Sequence, residues 1–314
     1  MPGRRGRGEG RPRPGPRLNR SSWDGVATSI QPFHLDVRQA DLDDLHARLD
    51  RVRWPDELPG VGWAYGVPLD YLRELVRYWR DGYDWRKAEA RLNEWAQYTT
   101  IIDGATVHFA HLRSPEPDAT PLLITHGWPG SIVEFQQVAG PLTAPRAHGG
   151  DPADAFDLVI PSIPGFGLSG PTRETGWDGK RVARAFGVLM ERLGYDRYGV
   201  QGGDWGAYIS RELGRIHPDR VVGVHLNLIP GAGATTEPTE DELAELAPDE
   251  RERTLASWHR FQAWAKDRQG YADLQSTRPQ TSPTRSRTPR SGNWPGSRRS
   301  SRSGRTRPST ATNC

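Results

Sequence analysis

Three apolar runs in the middle of the chain each lead directly into a turn that contains glycine. The runs cover residues 121–125, 156–160 and 198–201. A short apolar run bounded by turn residues is typical of a buried strand, and stretches such as 182–193 and 207–216 have helical periodicity. Strands that alternate with helices predict an α/β domain with a mainly parallel, doubly wound sheet. Ligands bind such sheets at the carboxyl ends of the strands, where these three turns lie.

The residues around these runs predict further elements. Residues 99–102 and 106–111, separated by Asp103-Gly104, predict a β-hairpin. Residues 221–228 predict another buried strand. Residues 237–266 have helical periodicity and are predicted to form the start of a cap. Ahead of the hairpin, Asp41 is predicted to cap a first helix. The apolar positions of three helices there are Leu42, Leu45 and Leu49, then Leu69, Leu72, Leu75, Val76 and Trp79, then Trp85, Ala88, Leu92 and Trp95.

The two ends of the chain differ from the middle in charge. The whole chain has 42 basic and 39 acidic residues, but residues 1–25 hold seven arginines and residues 282–314 hold eight. Without both ends, 27 basic and 37 acidic residues remain. The part that can fold is therefore acidic, which argues against a nucleic-acid partner. Residues 1–31 have almost nothing to bury and predict a disordered leader. Val26 is a candidate for the true start of the protein.

Cysteine usage and hydropathy indicate the compartment. The only cysteine is Cys314, so no disulfide can form within the chain. No apolar run approaches the length of a membrane span, and no signal peptide is recognisable. We expect a cytoplasmic protein without a membrane span. The sequence gives no indication of its oligomeric state.

The third turn, Gly202-Gly203-Asp204-Trp205-Gly206, has the pattern of a nucleophile elbow. In this strand-to-helix turn, small residues flank a nucleophile that the strained backbone lifts into the active site. Aspartate stands here where esterases have serine. The alternative interpretation is an aspartate that caps the next helix, since the pattern is short.

The first turn, which begins at His126-Gly127-Trp128-Pro129, favours the elbow. In folds with a nucleophile elbow, the loop after this earlier strand provides a backbone N–H group to the oxyanion hole. The N–H groups of Trp128 and Trp205 are then predicted to hold one oxygen of the Asp204 carboxylate and the oxyanion that forms from it. His126 itself is interpreted as a buried structural histidine.

Taken together, the motifs resemble the epoxide hydrolase family of microsomal and juvenile-hormone type. The resemblance runs from Pro32 to Thr281. It rests on Pro32-Phe33-His34, Arg53-Trp54-Pro55, His126 to Ser131, Pro164 to Ser169, Gly202 to Gly206, His225-Leu226-Asn227, Tyr271, Gln275, Thr277-Arg278-Pro279 and Thr281. It implies an α/β-hydrolase core over residues 98–236. It also implies a helical amino-terminal extension over 32–97 and the start of a helical cap over 237–281.

The resemblance also implies a chemistry that opens epoxides and thereby detoxifies them. Asp204 would attack an epoxide carbon and form an ester. Tyr271, which matches the first of the family's two cap tyrosines, would donate a hydrogen bond to the opening oxygen. The resemblance implies a small epoxide as the substrate, and it implies no cofactor or metal. Without the resemblance, Tyr271 is equally well interpreted as a buried aromatic residue of the cap.

Hydrolysis of such an ester needs a histidine, oriented by an acid, that activates water. After Asp204 the sequence offers only His217, His225 and His259. They fall at a helix end, in a strand and in a cap helix, so none is predicted to be the base, and no acid partner is assigned. We expect the chain as written to be inactive in turnover. Two alternatives remain open, a haloalkane dehalogenase-like hydrolase and a non-enzymatic remnant.

The arginine- and serine-rich segment 282–314 has two interpretations. It can be a native disordered tail, or it can be a frameshift product that begins after Thr281. Only Lys87, Lys180 and Lys266 are lysines, a bias that GC-rich coding DNA produces. With suitable codons, restoring one base before Ser282 yields an amphipathic segment that resembles the family's continuation. We favour the frameshift.

Sequencing the coding DNA around Thr281 tests this interpretation. We expect codons that, with one base restored, encode the cap continuation, the second cap tyrosine, the acid, the histidine and the last strands. Without those strands the sheet would end in an exposed edge near residues 221–228. Restoring the base should therefore raise both solubility and turnover. DNA that does not permit this reading would contradict the frameshift.

Overall fold

The computed structural model describes residues 29–229, 236–277 and 279. The chain divides into two compact units. The first contains residues 29–34 and 93–228, and the second contains residues 35–92 and the described residues from 229 onward. Residues up to 28 of the predicted leader, with Val26, lie outside the described residues, as do Thr281 and the tail 282–314. The predicted end of the leader at residue 31 is wrong, because Gln31 lies in a strand and pairs with Thr99.

In the described part of the first unit, seven strands form one mixed sheet. The strands are β1 Gln31–Phe33, β2 Gln97–Ile102, β3 Ala105–Leu112, β4 Thr120–Thr125, β5 Phe156–Pro161, β6 Tyr198–Gly202 and β7 Val221–Leu226. Their order in the sheet is β1-β2-β3-β5-β4-β6-β7. β1 pairs with β2, β2 with β3, and β3 with β5, all antiparallel. β5 pairs with β4, β4 with β6, and β6 with β7, all parallel. The α/β class is confirmed. The described sheet is mixed, with three antiparallel and three parallel pairs, where the sequence predicted a mainly parallel one, because β1 and the β2–β3 hairpin add the antiparallel pairs.

Helices occupy both units of the described chain. The second unit contains α1 Gln39–Asp50, α2 Leu69–Arg77 and α3 Trp85–Leu92. The first unit contains α4 Gln136–Thr143, α5 Gly179–Arg192 and α6 Trp205–Ile216. The second unit continues with α7 Glu240–Ala244, α8 Pro248–Arg268 and α9 Gly270–Thr277. None of the helices in these described ranges is both long enough and apolar enough to span a bilayer.

The core of the first unit forms where α5 and α6 cover the sheet. Phe186 and Leu189 of α5, together with Ile209 and Leu213 of α6, are almost completely buried and belong to one apolar cluster with Val200 of β6. Burial of each such side chain contributes about 1.5–3 kcal/mol. This packing fixes the position of β6 and of α6, and therefore of the turn that joins them.

The strand predictions for the first unit are largely confirmed. The hairpin is formed by β2 and β3, and the three apolar runs are β4, β5 and β6. The predicted burial of the strand at 221–228 is wrong. Val222 and Val224 of β7 are 50% and 44% exposed, because β6 is the only strand that pairs with β7 in the described sheet.

The three helices predicted ahead of the hairpin are present in the second unit, but the residues predicted at their ends are wrong. The first helix begins at Gln39, two residues before Asp41, so Asp41 is not its cap. The Asp41 carboxylate instead accepts hydrogen bonds from the side chain of Arg38. Trp79 lies in a π-turn that follows α2, and Trp95 lies beyond the end of α3. Apolar periodicity locates a helix face, but local hydrogen bonds decide where the helix ends.

A buried histidine joins three segments of the first unit. His108 of β3 has 0% exposure, and its imidazole hydrogen-bonds to Ser162 Oγ and to Gln97 Oε1, both at 3.0 Å. Because the Gln97 carbonyl only accepts, Nε2 of His108 carries the proton and Nδ1 accepts from the Ser162 hydroxyl. Burial lowers the pKa of the His108 imidazole to about 4.

We expect this histidine to make folding pH-dependent. The folded-state pKa lies below the unfolded value of about 6.5, so the unfolded chain takes up the proton first as the pH falls. Stability is therefore lost between pH 6.5 and 4, by at most about 3 kcal/mol. The free energy of unfolding in urea, measured at pH 7 and at pH 4, should fall less in His108→Gln than in the parent chain. The difference between the two falls should be at most about 3 kcal/mol. An equal loss in both proteins would contradict the prediction.

Candidate active site

The parallel strands carry their carboxyl-terminal turns to one edge of the sheet. Trp128 follows β4, Ile163 follows β5, and Asp204 follows β6. β4 lies between β5 and β6 in the sheet, so the turns after the outer two strands flank the turn after β4. Residues distant in sequence thereby meet at this edge.

Asp204 has a strained backbone. Its φ of 51° and ψ of −123° lie outside the regions that residues with a Cβ atom normally occupy. Such conformations cost about 1–3 kcal/mol and persist only where the surroundings impose them. The strain comes from the sharp turn between β6 and α6, and it projects the Asp204 side chain beyond the sheet edge.

Two glycines make this turn possible. A Cβ atom on Gly202 would lie 2.1 Å from the carbonyl oxygen of Gly206. A Cβ atom on Gly206 would lie 2.0 Å from the carbonyl oxygen of Thr125. Both contacts are with backbone, which has no room to move. Small residues are therefore required at both flanks, as the pattern Gly-x-Asp-x-Gly predicts.

The Asp204 carboxylate does not cap the helix that follows it. Asp204 stands at the N-cap position of α6, but its side chain makes no capping hydrogen bond. Its Oδ1 instead accepts a hydrogen bond of 3.0 Å from the backbone N–H of Trp128. Because a Cβ atom on Gly127 would lie 2.6 Å from Asp204 Cβ, only glycine fits at position 127. The capping interpretation is therefore wrong, and the carboxylate faces the first turn.

The first turn is anchored on both sides of Trp128. On its carboxyl side, Ser131 and Glu134 form a capping box at the start of the 3₁₀ helix Ile132–Phe135. The Ser131 backbone N–H donates to Glu134 Oε1 at 3.2 Å, and the Val133 N–H donates to Ser131 Oγ at 3.4 Å. These bonds satisfy amide groups that would otherwise lack partners at the helix start.

On the amino side, His126 is 1% exposed and hydrogen-bonds to two turns. Its Nδ1 lies 2.7 Å from the carbonyl oxygen of Gly127, and its Nε2 lies 3.3 Å from the backbone N of Ile163. A carbonyl oxygen only accepts and an amide only donates, so Nδ1 carries the proton and Nε2 does not. Burial lowers the pKa of this imidazole. His126 is thus a neutral group within the scaffold.

Two pairs of aromatic residues lie in or next to the turns of the site. The rings of Trp128 and Phe166 are 6.4 Å apart in an edge-to-face arrangement, and those of Trp205 and Tyr208 are 5.5 Å apart. Phe166 and Trp205 are nearly half exposed. The turns of the site thus combine exposed aromatic side chains with one exposed carboxylate, a residue set that suits an apolar small molecule with a reactive carbon.

The remaining predicted site residues are placed as follows. Trp205 is the first residue of α6, where backbone N–H groups have no partner within the helix; no hydrogen bond joins it to Asp204 in the described residues. Tyr271 lies in α9 of the second unit and is 47% exposed. Its predicted role stays a prediction.

None of the chain's nine histidines, all of which lie in the described ranges, hydrogen-bonds to Asp204. His217 ends α6, His225 lies in β7 and His259 lies in α8. The described residues also contain no group of three or more His, Cys, Asp or Glu side chains that could hold a metal ion.

Sequence reasoning missed two supports of the site. The backbone N–H of Ile163 holds His126, although nothing in the sequence marks an amide as a partner. Asn227 follows β7, where its own N–H donates to the Gly202 carbonyl at 3.1 Å and its side chain accepts from Gln201 at 3.2 Å. The motif His225-Leu226-Asn227 was the available signal for this second support.

The strained aspartate, its glycine flanks and the facing amide define a nucleophile elbow of the α/β-hydrolase class. Comparison with known proteins agrees. Residues 30–135 match the family described as epoxide hydrolase N terminus, and residues 120–306 match the family described as alpha/beta hydrolase fold. The chain belongs to the epoxide hydrolase family of the α/β-hydrolase fold.

Individual relatives support this assignment. A Stigmatella aurantiaca protein named as an epoxide hydrolase is 46% identical over 252 residues, which is 80% of this chain and 55% of that protein. The Aspergillus niger epoxide hydrolase structure has a TM-score of 0.67 at 33% identity, covering 81% of this chain and 65% of that one. The juvenile hormone epoxide hydrolase structure from Bombyx mori has a TM-score of 0.64 at 29% identity, covering 81% and 58%. The chain spans about half the length of the curated relatives it matches.

The strain at Asp204 predicts an unusual order of stability. Asp204→Gly should be about 1 kcal/mol more stable than Asp204→Ala. Glycine relieves the backbone strain in the folded state, and the greater conformational entropy of its unfolded chain offsets only part of that stabilisation. Both variants lack the carboxylate, so the difference isolates the backbone. The free energy of unfolding in urea measures it. An alanine variant as stable as the glycine variant would show that the turn is not strained.

Proposed function

We propose that this protein opens epoxides through an ester on Asp204. One observation carries the proposal: the Trp128 N–H holds Oδ1 of a carboxylate that a strained elbow presents at the sheet edge. Because Oδ1 is engaged by this amide, Oδ2 is the oxygen available to attack an epoxide carbon. A new bond then forms between that carbon and Oδ2, and the carbon–oxygen bond of the ring breaks.

The electron pair of the broken bond goes to the epoxide oxygen, which needs a hydrogen-bond donor as its charge develops. We propose the phenol of Tyr271 for this role on the strength of the resemblance. The opened oxygen takes up a proton, from this phenol or from water, so the product of the step is an ester of Asp204 with a free hydroxyl on the neighbouring carbon. Its carbonyl oxygen, Oδ1, remains opposite the Trp128 amide.

Hydrolysis of the ester would place negative charge on Oδ1. When water attacks the carbonyl carbon, the Trp128 N–H is already in place to stabilise the oxyanion, a contribution of about 3–4 kcal/mol in related chemistry. In the described structure no histidine is positioned at Asp204 to activate that water. We therefore propose that the 314-residue chain forms the ester faster than it hydrolyses it.

Mass spectrometry of the intact chain tests the proposal. Incubation with a small aryl epoxide such as styrene oxide should add one epoxide mass per chain, and peptide mapping should locate it at Asp204. Asp204→Asn, which removes the nucleophile and keeps the side chain's size, should give no adduct at early times. An adduct on another carboxylate would contradict the assignment.

A second arm separates this activity from dehalogenation. A haloalkane of matching size would form an ester only with release of halide, whereas the epoxide releases nothing in the first step. We expect modification by the epoxide and not by the haloalkane. Halide release without epoxide modification would favour the dehalogenase alternative.

A further inference from the structure

The amide that faces Asp204 is the last member of a series of hydrogen bonds. The carbonyl oxygen of Gly127 and the N–H of Trp128 belong to one peptide unit. His126 Nδ1–H donates to that carbonyl at 2.7 Å, and the N–H on the other side of the unit donates to Asp204 Oδ1 at 3.0 Å. The imidazole therefore acts on the amide that holds the carboxylate.

The series continues behind the imidazole through a second peptide unit. The Ile163 N–H donates to His126 Nε2 at 3.3 Å, and the carbonyl of the same unit, on Ser162, accepts from Ser169 Oγ at 2.7 Å. Ser169 Oγ in turn accepts from the backbone N–H of His108 at 3.0 Å. Five hydrogen bonds thus run in one direction from β3 to the carboxylate.

Every donor in this series points toward Asp204, so each bond polarises the next in the same sense. Hydrogen bonds arranged in chains strengthen one another, most of all where water is excluded. Ser162, Ser169, His108 and His126 are all buried. Only the last acceptor, the Asp204 carboxylate, is exposed.

We propose that His126 and Ser169 are positioning residues, which orient and polarise the Gly127–Trp128 peptide so that its N–H stabilises charge on Asp204 Oδ1. The proposal rests on the proposed function for its kinetic consequence. It assigns to His126 a task beyond joining two turns. It also makes the nucleophile of the third turn depend on the second turn, residues 163–169 after β5, which contains Ser169.

The two half-reactions should depend differently on this polarisation. In ester formation Oδ1 changes from a carboxylate to a carbonyl oxygen and loses negative charge, so a stronger amide donor gives no acceleration. In ester cleavage Oδ1 gains a full negative charge, and the donor accelerates the step. Loss of polarisation should slow the second step while leaving the first nearly unchanged.

Two substitutions of His126 separate its two bonds. Asparagine places an amide nitrogen near the Nδ1 position, so His126→Asn keeps a donor for Gly127 and loses the acceptor for Ile163. Glutamine places an oxygen near the Nε2 position, so His126→Gln keeps the acceptor and loses the donor. Each variant leaves one buried backbone group without its bond, and the two should lose similar stability.

Hydroxylamine allows ester cleavage to be measured without a histidine base. It attacks the Asp204 carbonyl carbon, the oxyanion forms on Oδ1, and the collapse expels the alkyl oxygen, which leaves as the diol after taking up a proton. The enzyme keeps a hydroxamate on Asp204. Mass spectrometry follows both the loss of the styrene oxide adduct and the appearance of the hydroxamate.

We expect cleavage by hydroxylamine to be about 10- to 100-fold slower in His126→Gln than in the parent chain. His126→Asn should stay within a few-fold of the parent, and Ser169→Ala should fall between the two. All variants should form the adduct at similar rates. Equal cleavage rates in the parent and all variants would overturn the proposal. So would cleavage rates that fall equally in His126→Asn and His126→Gln, in proportion to the loss of thermal stability.

A spectroscopic measurement keeps the test independent of the proposed reaction. In chain labelled with ¹⁵N-tryptophan, the Trp128 amide proton, identified with Trp128→Phe, should move upfield in His126→Gln and remain in place in His126→Asn. If the parent chain forms no adduct, the proposed function is wrong, and this amide signal alone decides the positioning role. An unchanged amide signal in His126→Gln would refute that role.

Discussion

The hydrogen bond from the Trp128 N–H to Asp204 Oδ1 is the interaction on which the organisation of this site depends. It joins the turn after β4 to the turn after β6, which are adjacent in the sheet and far apart in sequence. The bond requires Asp204 to occupy a strained conformation, which the packing of α6 on the sheet imposes. It also requires Gly127, because any side chain there would occupy the space of the carboxylate.

Two buried histidines beneath the site show how polar groups support this geometry. Neutral imidazoles suit the task because each offers one donor and one acceptor, which match a carbonyl and an amide or hydroxyl. His108 joins β3 to the start of the second turn, and His126 joins the second turn to the first. Burial lowers the pKa of both, so the neutral form is maintained near pH 7. A charged imidazole at His126 would place a proton against the Ile163 N–H.

The exposed side chains of β7 illustrate a limit on arguments from apolar content. Val222 and Val224 belong to an apolar run like those of β4 and β5, yet they are about half exposed. β4 and β5 each have a strand on both sides, whereas β7 pairs only with β6 in the described sheet. Hydrophobic sequence favours burial, but the burial is realised only where another element supplies a covering surface.

The sequence by itself determined the local features of this protein. Alternating apolar runs gave the strands and helices, Gly202 and Gly206 marked the elbow, and the turns identified Asp204 and the Trp128 amide as a pair. Only the tertiary structure decided that Asp204 holds that amide and does not cap α6, that Asp41 is not a cap, and that His126 bonds across to Ile163. Periodicity and turn chemistry are properties of neighbouring residues and are visible in sequence. The partner of a buried imidazole or amide depends on which strands lie side by side, and that order arises only when the whole sheet packs.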